Sequence, residues 1–284
     1  MTSAVPATSA HSARRASPPA SRLADFGHLL QSEWTKIRTV RSTVWSLLAL
    51  VVVSVGFTAL FAALTAANWN GPRAAARDAT ILADPVSSVL GTGIGLGQLA
   101  ICVLGALIMT TEYSTGVIRA SLLAVPTRIP MLAAKAVVFA ALILVVAEIV
   151  TFGSYFVGSA ILHSHVTLSL SQPGVTRAVI GTGLALTVLG LFAMAIGALI
   201  RHTAGAIATA IGVVLVLPIL SGLLPGTVGA HINAYLPEQA GGLIDQAHEQ
   251  AGNLLTPWQG FGVFCLWTAV LLVAAGYLLR RRDA

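Results

Sequence analysis

The sequence predicts an all-α integral membrane protein with six transmembrane helices, an in-plane amphipathic helix before them, and both termini in the cytoplasm. Three observations lead to this prediction. Of the 284 residues, 56% are hydrophobic and only 9% are charged, whereas a soluble domain carries about 25% charged residues. Six apolar stretches approach or exceed the ~20 residues that a helix needs to cross a bilayer. The Lys and Arg residues are distributed unevenly among the segments that connect these stretches.

The chain divides into a tail, an interfacial helix and a membrane domain. Residues 1–24 are rich in Ala, Ser and Pro and predict a disordered cytoplasmic tail. Residues 25–42 predict an amphipathic helix, because apolar residues recur at three- and four-residue spacing while the charged residues occupy other faces. The six-span domain takes residues 43–282. Its spans are predicted near residues 43–67, 86–111, 130–162, 178–200, 204–224 and 258–279.

The Lys and Arg residues orient the spans. With an even number of spans, the two termini share one side, and 13 of the 16 Lys and Arg residues fall on that side. Cytoplasmic segments carry the excess of these residues, so this side is predicted to be cytoplasmic and the protein to lie in the cell membrane. The net charge of +6 therefore reflects membrane topology, and no nucleic-acid partner is predicted.

The segment between the second and third spans is polar at its start and amphipathic after that. It reads EYSTGVIRASLLAVPTRIP. Gly116 is suited to ending the preceding helix, and Pro126 to ending a short helix of about two turns at the inner face of the membrane. Two interpretations stand: a simple interfacial helix, or a docking element for a cytoplasmic partner. Helix connections are often much shorter, which favours docking.

Inside the predicted spans, polar and small residues identify candidate path and packing positions. Glu148 lies in the middle of the third span, where a charge costs about 2.5–3.5 kcal/mol. It is interpreted either as a group lining a path or as a protonated carboxyl hydrogen-bonded to a neighbouring helix. The second span carries two small-xxx-small pairs, which predict close helix packing rather than a broken helix. The glycines of these pairs are Gly91, Gly93, Gly95 and Gly97.

Other features predict no metal or redox chemistry. Cys102 and Cys265 lie singly in apolar runs, and no HExxH motif or other metal-ligand spacing of His is present.

Pro218 predicts a kink in the fifth span. The polar stretch LPEQAGGLIDQAHEQAGNLLTP predicts a short helix over the outer mouth, acting either as a gate or as a plain connection.

Two motifs resemble a known family. SEWTKIRTVRST before the first span, and TEYSTGVIRASLLAVPTRIPMLAAK after the second, resemble the entry helix and first cytoplasmic loop of type-2 ABC exporter permeases, particularly actinobacterial ones. The resemblance covers roughly residues 25–282. In many relatives a Gly precedes the Glu-Tyr pair, whereas Thr111 takes that place here.

The resemblance implies a permease subunit that pairs with a second permease copy or paralogue and is driven by cytoplasmic ABC ATPase subunits. It also implies that the entry helix and the first loop contact the ATPase. The residues that match the two motifs are Glu33, Trp34, Lys36, Glu112, Tyr113, Gly116 and Arg119. No P-loop occurs in the chain, because neither Lys36 nor Lys135 follows a Gly, so ATP and Mg are expected only on the partner.

Three other function classes fit the sequence less well. A membrane enzyme is not expected, because the predicted spans contain a lone Glu and no intramembrane His or Asp to form a catalytic pair. A secondary transporter would show several ionisable groups and repeated halves within the membrane. A non-transporting scaffold or sensor in an ABC-like complex is the remaining alternative. The substrate is not readable from the sequence.

Overall fold

The computed structural model describes residues 19–39, 41–71, 74–116, 128–250 and 252–281. Every regular element in these ranges is helical, and none of the described residues forms a strand. The elements are α1 (Pro19–Thr39), α2 (Arg41–Ala67), α3 (Ala75–Ala83), α4 (Pro85–Ser114), α5 (Arg128–Leu162), α6 (Val175–Ile200), α7 (Thr203–Ile211), α8 (Leu217–Gly222), α9 (Gly226–Ala234), α10 (Pro237–Gly242) and α11 (Pro257–Arg281).

Six helical stretches are long and apolar enough to cross a membrane, as the sequence predicts. They are Arg41–Ala67, Pro85–Ser114, Ile129–Leu162, Val175–Ile200, Thr203–Gly222 and Pro257–Arg281. Each predicted span starts within three residues of its helix. The prediction works because a run of about 20 apolar residues has no stable alternative to a membrane-spanning helix. The chain is therefore a multi-pass, all-α membrane protein.

At the N-terminus, the structure differs from the predicted boundary between tail and helix. α1 begins at Pro19, six residues before the predicted start at residue 25. Proline suits the first turn of a helix because its φ is already helical and its missing N–H would have no partner there. The remainder of the predicted tail and the predicted short helix after Gly116 lie outside the described residues.

The fifth span is not a continuous α-helix. A single π-turn, Gly212–Val216, separates α7 from α8, and the Leu217 N–H bonds to the Gly212 carbonyl. Pro218 follows at once and has no N–H for the α-helical pattern. The predicted kink at Pro218 stays a prediction, and the irregularity that the structure shows is a π-turn just before the proline. Such turns are rare and are frequently found at functional sites.

The helix α6 is the centre of the bundle. It is the most buried of the six spans and packs against α4, α5 and α11. α2 lies on the outside against α4 and α5, and its other face carries exposed apolar side chains. Such a face suits lipid, since hydrocarbon tails accept apolar side chains without cost.

The four glycines in the first half of α4, Gly91 to Gly97, fall into two pairs that face different surroundings. A Cβ on Gly93 would lie 2.1 Å from Thr58 Oγ1, and one on Gly97 would lie 1.9 Å from Ser54 Oγ, so these two positions let α2 approach closely. A Cβ on Gly91 or Gly95 would meet no atom within 4 Å. Only one stripe of the glycine-rich segment is therefore used for close packing between α2 and α4.

This division gives a matched pair of variants. Gly93→Ala forces the backbone of α2 to move, since a Cβ there would also lie 2.3 Å from the Ser54 carbonyl oxygen. We expect it to lower the free energy of unfolding by about 1–3 kcal/mol. Gly91→Ala has open space and gains helix propensity, so stability should rise by about 0.5–1 kcal/mol or stay unchanged. Thermal unfolding in detergent micelles would measure both, and equal losses would contradict the packing geometry.

Candidate functional site

Four charged side chains from three helices meet at the end of the bundle where α4 stops and α5 begins. Lys135 of α5 donates to Glu33 of α1, and its Nζ lies 2.7 Å from Glu112 Oε1 of α4. Lys36 Nζ of α1 lies 2.6 Å from Glu33 Oε1 and 3.6 Å from Glu112 Oε1. Two ammonium groups and two carboxylates therefore alternate in a closed network, which we call the charge network.

The position of each side chain follows from local sequence. Glu33 and Lys36 are three residues apart, a spacing that places both on the same face of α1. Glu112 comes at the end of the apolar run of α4, two residues before the helix ends at Ser114. Lys135 lies in the second turn of α5. The C-terminal end of α4, the N-terminal part of α5 and the adjacent helix α1 thus place all four charged groups at the same depth in the bundle.

The innermost charged groups of the network are buried so deeply that each needs an oppositely charged partner. Glu33 is 1% exposed and Lys135 is 2% exposed. Moving such groups out of water costs several kcal/mol each, and only good ion-pair geometry offsets this. Two positive and two negative charges sum to zero, so no net charge is buried. Because the three helices α1, α4 and α5 each supply a charge, separating any one of them would leave a buried charge without its partner.

Lys36 stands at the solvent edge of the network. Burial alone would lower the pKa of its ammonium, but the hydrogen bond that the ammonium donates to Glu33 and the charge of Glu112 outweigh this, so the pKa lies above its usual value. Lys36 is consequently charged at neutral pH.

A small cavity borders the network on the inner side of α1. It has a volume of about 60 Å³ and is lined in part by Lys36, Thr43, Glu112 and Lys135. One carboxylate oxygen of Glu112 has no hydrogen-bond partner among the described residues. The cavity is large enough for water, which would satisfy this oxygen. The network therefore borders a small pocket that is lined by both charged and apolar side chains.

The remaining residues of the two sequence motifs lie around this network. Trp34 is 42% exposed, with the Arg38 guanidinium 5.8 Å from its ring centre. The Arg201 guanidinium, at the turn between α6 and α7, lies 4.9 Å from the ring centre of Tyr113. Gly116 has φ of +71°, the left-handed conformation that favours glycine after a helix end. Arg119 lies outside the described residues.

Glu148 lies apart from the charge network, against the central helix. A Cβ on Gly183 of α6 would lie 2.5 Å from Glu148 Oε1, so the missing side chain of Gly183 makes room for the carboxyl group. Glu148 Oε2 is buried and has no hydrogen-bond partner among the described residues. The carboxyl group therefore faces protein at span four, and both interpretations given for it stand.

Sequence reasoning did not single out Lys135 or Arg201 as members of a site. Lys135 is one of two lysines in the chain and lies in an apolar run. A lone lysine in an apolar run needs an acidic partner, and that requirement was a signal that pointed to Glu33 or Glu112. Arg201 gave no comparable signal, because it occupies an ordinary turn.

Comparison with known proteins adds no identification. No family model matches this chain, and a comparison with curated proteins finds no match.

The network predicts unequal effects for the two lysines. Lys135→Met leaves two buried carboxylates without their central partner and should lower the free energy of unfolding by about 3–5 kcal/mol. Lys36→Met should cost about 1 kcal/mol or less, because its side chain is 36% exposed. Thermal unfolding in detergent micelles measures both.

The same measurement on a double variant tests pairing directly. Adding Glu33→Gln to Lys135→Met removes a charge of each sign, so the double variant should be less destabilised than the sum of the two single changes. Strict additivity would show that Glu33 and Lys135 do not depend on each other.

Proposed function

We propose that this chain is the transmembrane permease subunit of an ATP-driven ABC exporter in the cell membrane. Both termini face the cytoplasm, and α1 lies in the plane of the inner membrane surface. A separate ATPase subunit binds and hydrolyses ATP, and two permease units together form the path. The chain itself performs no hydrolysis. Six apolar helices and the asymmetry of the Lys and Arg residues support the topology.

The charge network is the observation that carries this proposal. The two segments that resemble the ATPase-contacting motifs are α1 and the start of the first loop. Glu33 and Lys36 belong to the first segment, Glu112 to the second, and Lys135 joins both to α5. A partner that pushes on either segment would therefore act on the spans α4 and α5 together. A simple in-plane anchor would not need buried ion pairs to two spans.

The exposed part of α1 supplies a surface that a partner would bind. Trp34 presents its ring on the outside of α1 and carries Arg38 beside it. Tryptophan and arginine are the residue types most often responsible for binding energy at protein interfaces. The proposal places the ATPase against this face of α1 and against the neighbouring loop after Gly116.

Trp34→Ala should therefore weaken binding of the ATPase without unfolding the permease. We expect the amount of ATPase that co-purifies from detergent-solubilised native membranes, and the ATPase activity that the permease stimulates, to fall by about tenfold or more. The matched control is Trp45→Ala, since Trp45 is 69% exposed on the span α2. The proposal fails if both variants retain the same bound ATPase as the unchanged protein.

The proposed orientation of the chain in the membrane can be tested separately. A cysteine at exposed Ser114, placed in a chain lacking Cys102 and Cys265, should react with a membrane-impermeant thiol reagent only after the cells are opened. A cysteine at exposed Glu249 should react in intact cells. Reaction of the Ser114→Cys protein in intact cells would reverse the topology and with it the proposed ATPase contact.

A transporter driven by a proton gradient is the second candidate, and Glu148 favours it. Its carboxyl group is buried against α6 at mid-span, the place where proton-relay carboxylates lie. The two candidates differ in energy source. Transport by purified protein in vesicles, driven by a pH difference without any ATPase, would favour this candidate.

A further inference from the structure

A compact cap closes the end of the bundle opposite the charge network. We define the cap as residues Leu236–Ala247, which comprise α10, a 3₁₀ turn at Leu243–Asp245 and the two residues after it. Glycines in two of the spans allow the cap to pack closely against them. A Cβ on Gly181 of α6 would lie 2.3 Å from Ile244, and one on Gly260 of α11 would lie 2.2 Å from the Ala240 carbonyl oxygen. The cap is therefore set into the bundle between α6 and α11.

Two charged side chains of the spans hold the final residues of the cap. Asp84, the N-cap of α4, accepts from the backbone N–H of Ser87 at 3.1 Å and from that of Ala247 at 3.0 Å. Arg177 of α6 donates through Nη2 to the carbonyl oxygens of Gln246, at 2.8 Å, and Ala247, at 3.0 Å. The end of the cap is thus attached to both α4 and α6.

The cap separates two cavities. A wide chamber of about 760 Å³ lies on one side, lined by side chains that include Asn233, Gln246 and Asn253. A narrow slot of about 90 Å³ lies on the other side, between α4, α6 and α11, where Gly95 and Gln98 line it. Glu238, Gly242 and Asp245 line both cavities, so they form the boundary between chamber and slot.

Asp245 is surrounded by negative charge. From α4 it faces Asp84 and the Ser87 hydroxyl, whose oxygen is 3.5 Å from Asp245 Oδ1; from α10 it faces Glu238. α6 offers Arg177, which donates to cap carbonyls. α11 carries no charged residue before Arg280, at its far end. None of the described residues lining either cavity is Lys or Arg.

These surroundings favour the protonated form of Asp245. Burial, then the charges of Asp84 and Glu238, raise the pKa of Asp245 to about 7, although the Ser87 hydroxyl opposes the shift. Burial also raises the pKa of Glu238. The capped state thus holds a proton near neutral pH that a solvated Asp245 would release.

We propose that Asp245 is a proton-operated latch: its protonated carboxyl keeps the cap seated between chamber and slot, and loss of the proton releases the cap and opens the slot to the chamber. The sign follows from proton linkage. The seated state binds more protons than the open state, so rising pH favours the open state. With one proton involved, the balance shifts by up to tenfold per pH unit between the ordinary pKa of an exposed aspartate and about pH 7, and it levels off above that. This latch does not depend on the exporter proposal.

A cysteine in the slot reports the opening. Gly95→Cys suits this role because Gly95 lines the slot and a Cβ there meets no atom within 4 Å. The variant is made in a chain lacking Cys102 and Cys265, purified in detergent micelles, and treated with a small polar thiol reagent from pH 5.5 to 8.5. Both faces of the protein are accessible in micelles, so the result is independent of topology.

The comparison is between this protein and the same protein carrying Asp245→Asn, which removes the titrating proton and keeps the shape. Any pH dependence of the cysteine itself cancels in the ratio of the two rates. We expect the rate for the protein with Asp245, divided by the rate for the Asp245→Asn variant, to rise by up to tenfold per pH unit from pH 5.5, to be half-maximal near pH 7 and to level off by about pH 8. A ratio that stays constant over this range overturns the proposal.

Two further variants keep the test decisive if Asp245→Asn is poorly produced. Glu238→Gln removes a neighbouring negative charge, so the pH at which slot labelling is half-maximal, its midpoint, should move. Because a like charge raises the pKa of Asp245, the midpoint of slot labelling should move to lower pH. Glu249→Gln neutralises an exposed carboxylate outside the cap and should leave the midpoint unchanged. An unshifted midpoint with Glu238→Gln, or equal shifts with both, overturns the latch.

Discussion

A lysine ammonium inside an apolar helix bundle is tolerated only when carboxylates surround it, and that requirement organises one end of this protein. Lys135 is almost fully buried, and its two acidic partners come from different helices. Among the described residues, Lys135 is the one deeply buried cation that pairs with Glu33 and Glu112, so α1 and α4 must both stay against α5. The apolar packing of the spans is non-directional, whereas this charge arrangement fixes which helix ends meet.

The structure of the opposite end of the bundle depends on glycines, which have no side chain, and on the carboxylates around the cap. One stripe of α4, at Gly93 and Gly97, brings α2 into close contact, while the stripe at Gly91 and Gly95 leaves space that the slot occupies. The same helix therefore packs on one side and bounds a cavity on the other. Small residues in a span do not always mark helix contact, and the direction of each Cβ decides between the two roles.

Hydropathy alone was sufficient to predict the spans, because the lipid interior leaves the backbone few alternatives to a helix. The charge network was predictable in part: Glu33, Lys36 and Glu112 were selected through family resemblance, but nothing local to Lys135 revealed which helix would meet it. The cap was harder. Its seat depends on Gly181 and Gly260, which lie 63 and 20 residues from Ile244 and Ala240 respectively, and contacts between distant segments leave no periodic signal in one sequence.

The helix α4 links the two ends of the molecule. Asp84 precedes its first residue and holds the cap, and Glu112 near its last turn belongs to the charge network. α4 is a single unbroken helix of 30 residues, about 45 Å long at 1.5 Å per residue. A displacement of the C-terminal end of α4 by a partner at α1 would move the N-cap on which the cap's final residue depends, since a helix is stiff along its axis. If both proposals hold, a push at the charge network and a proton at Asp245 act on the same boundary between chamber and slot.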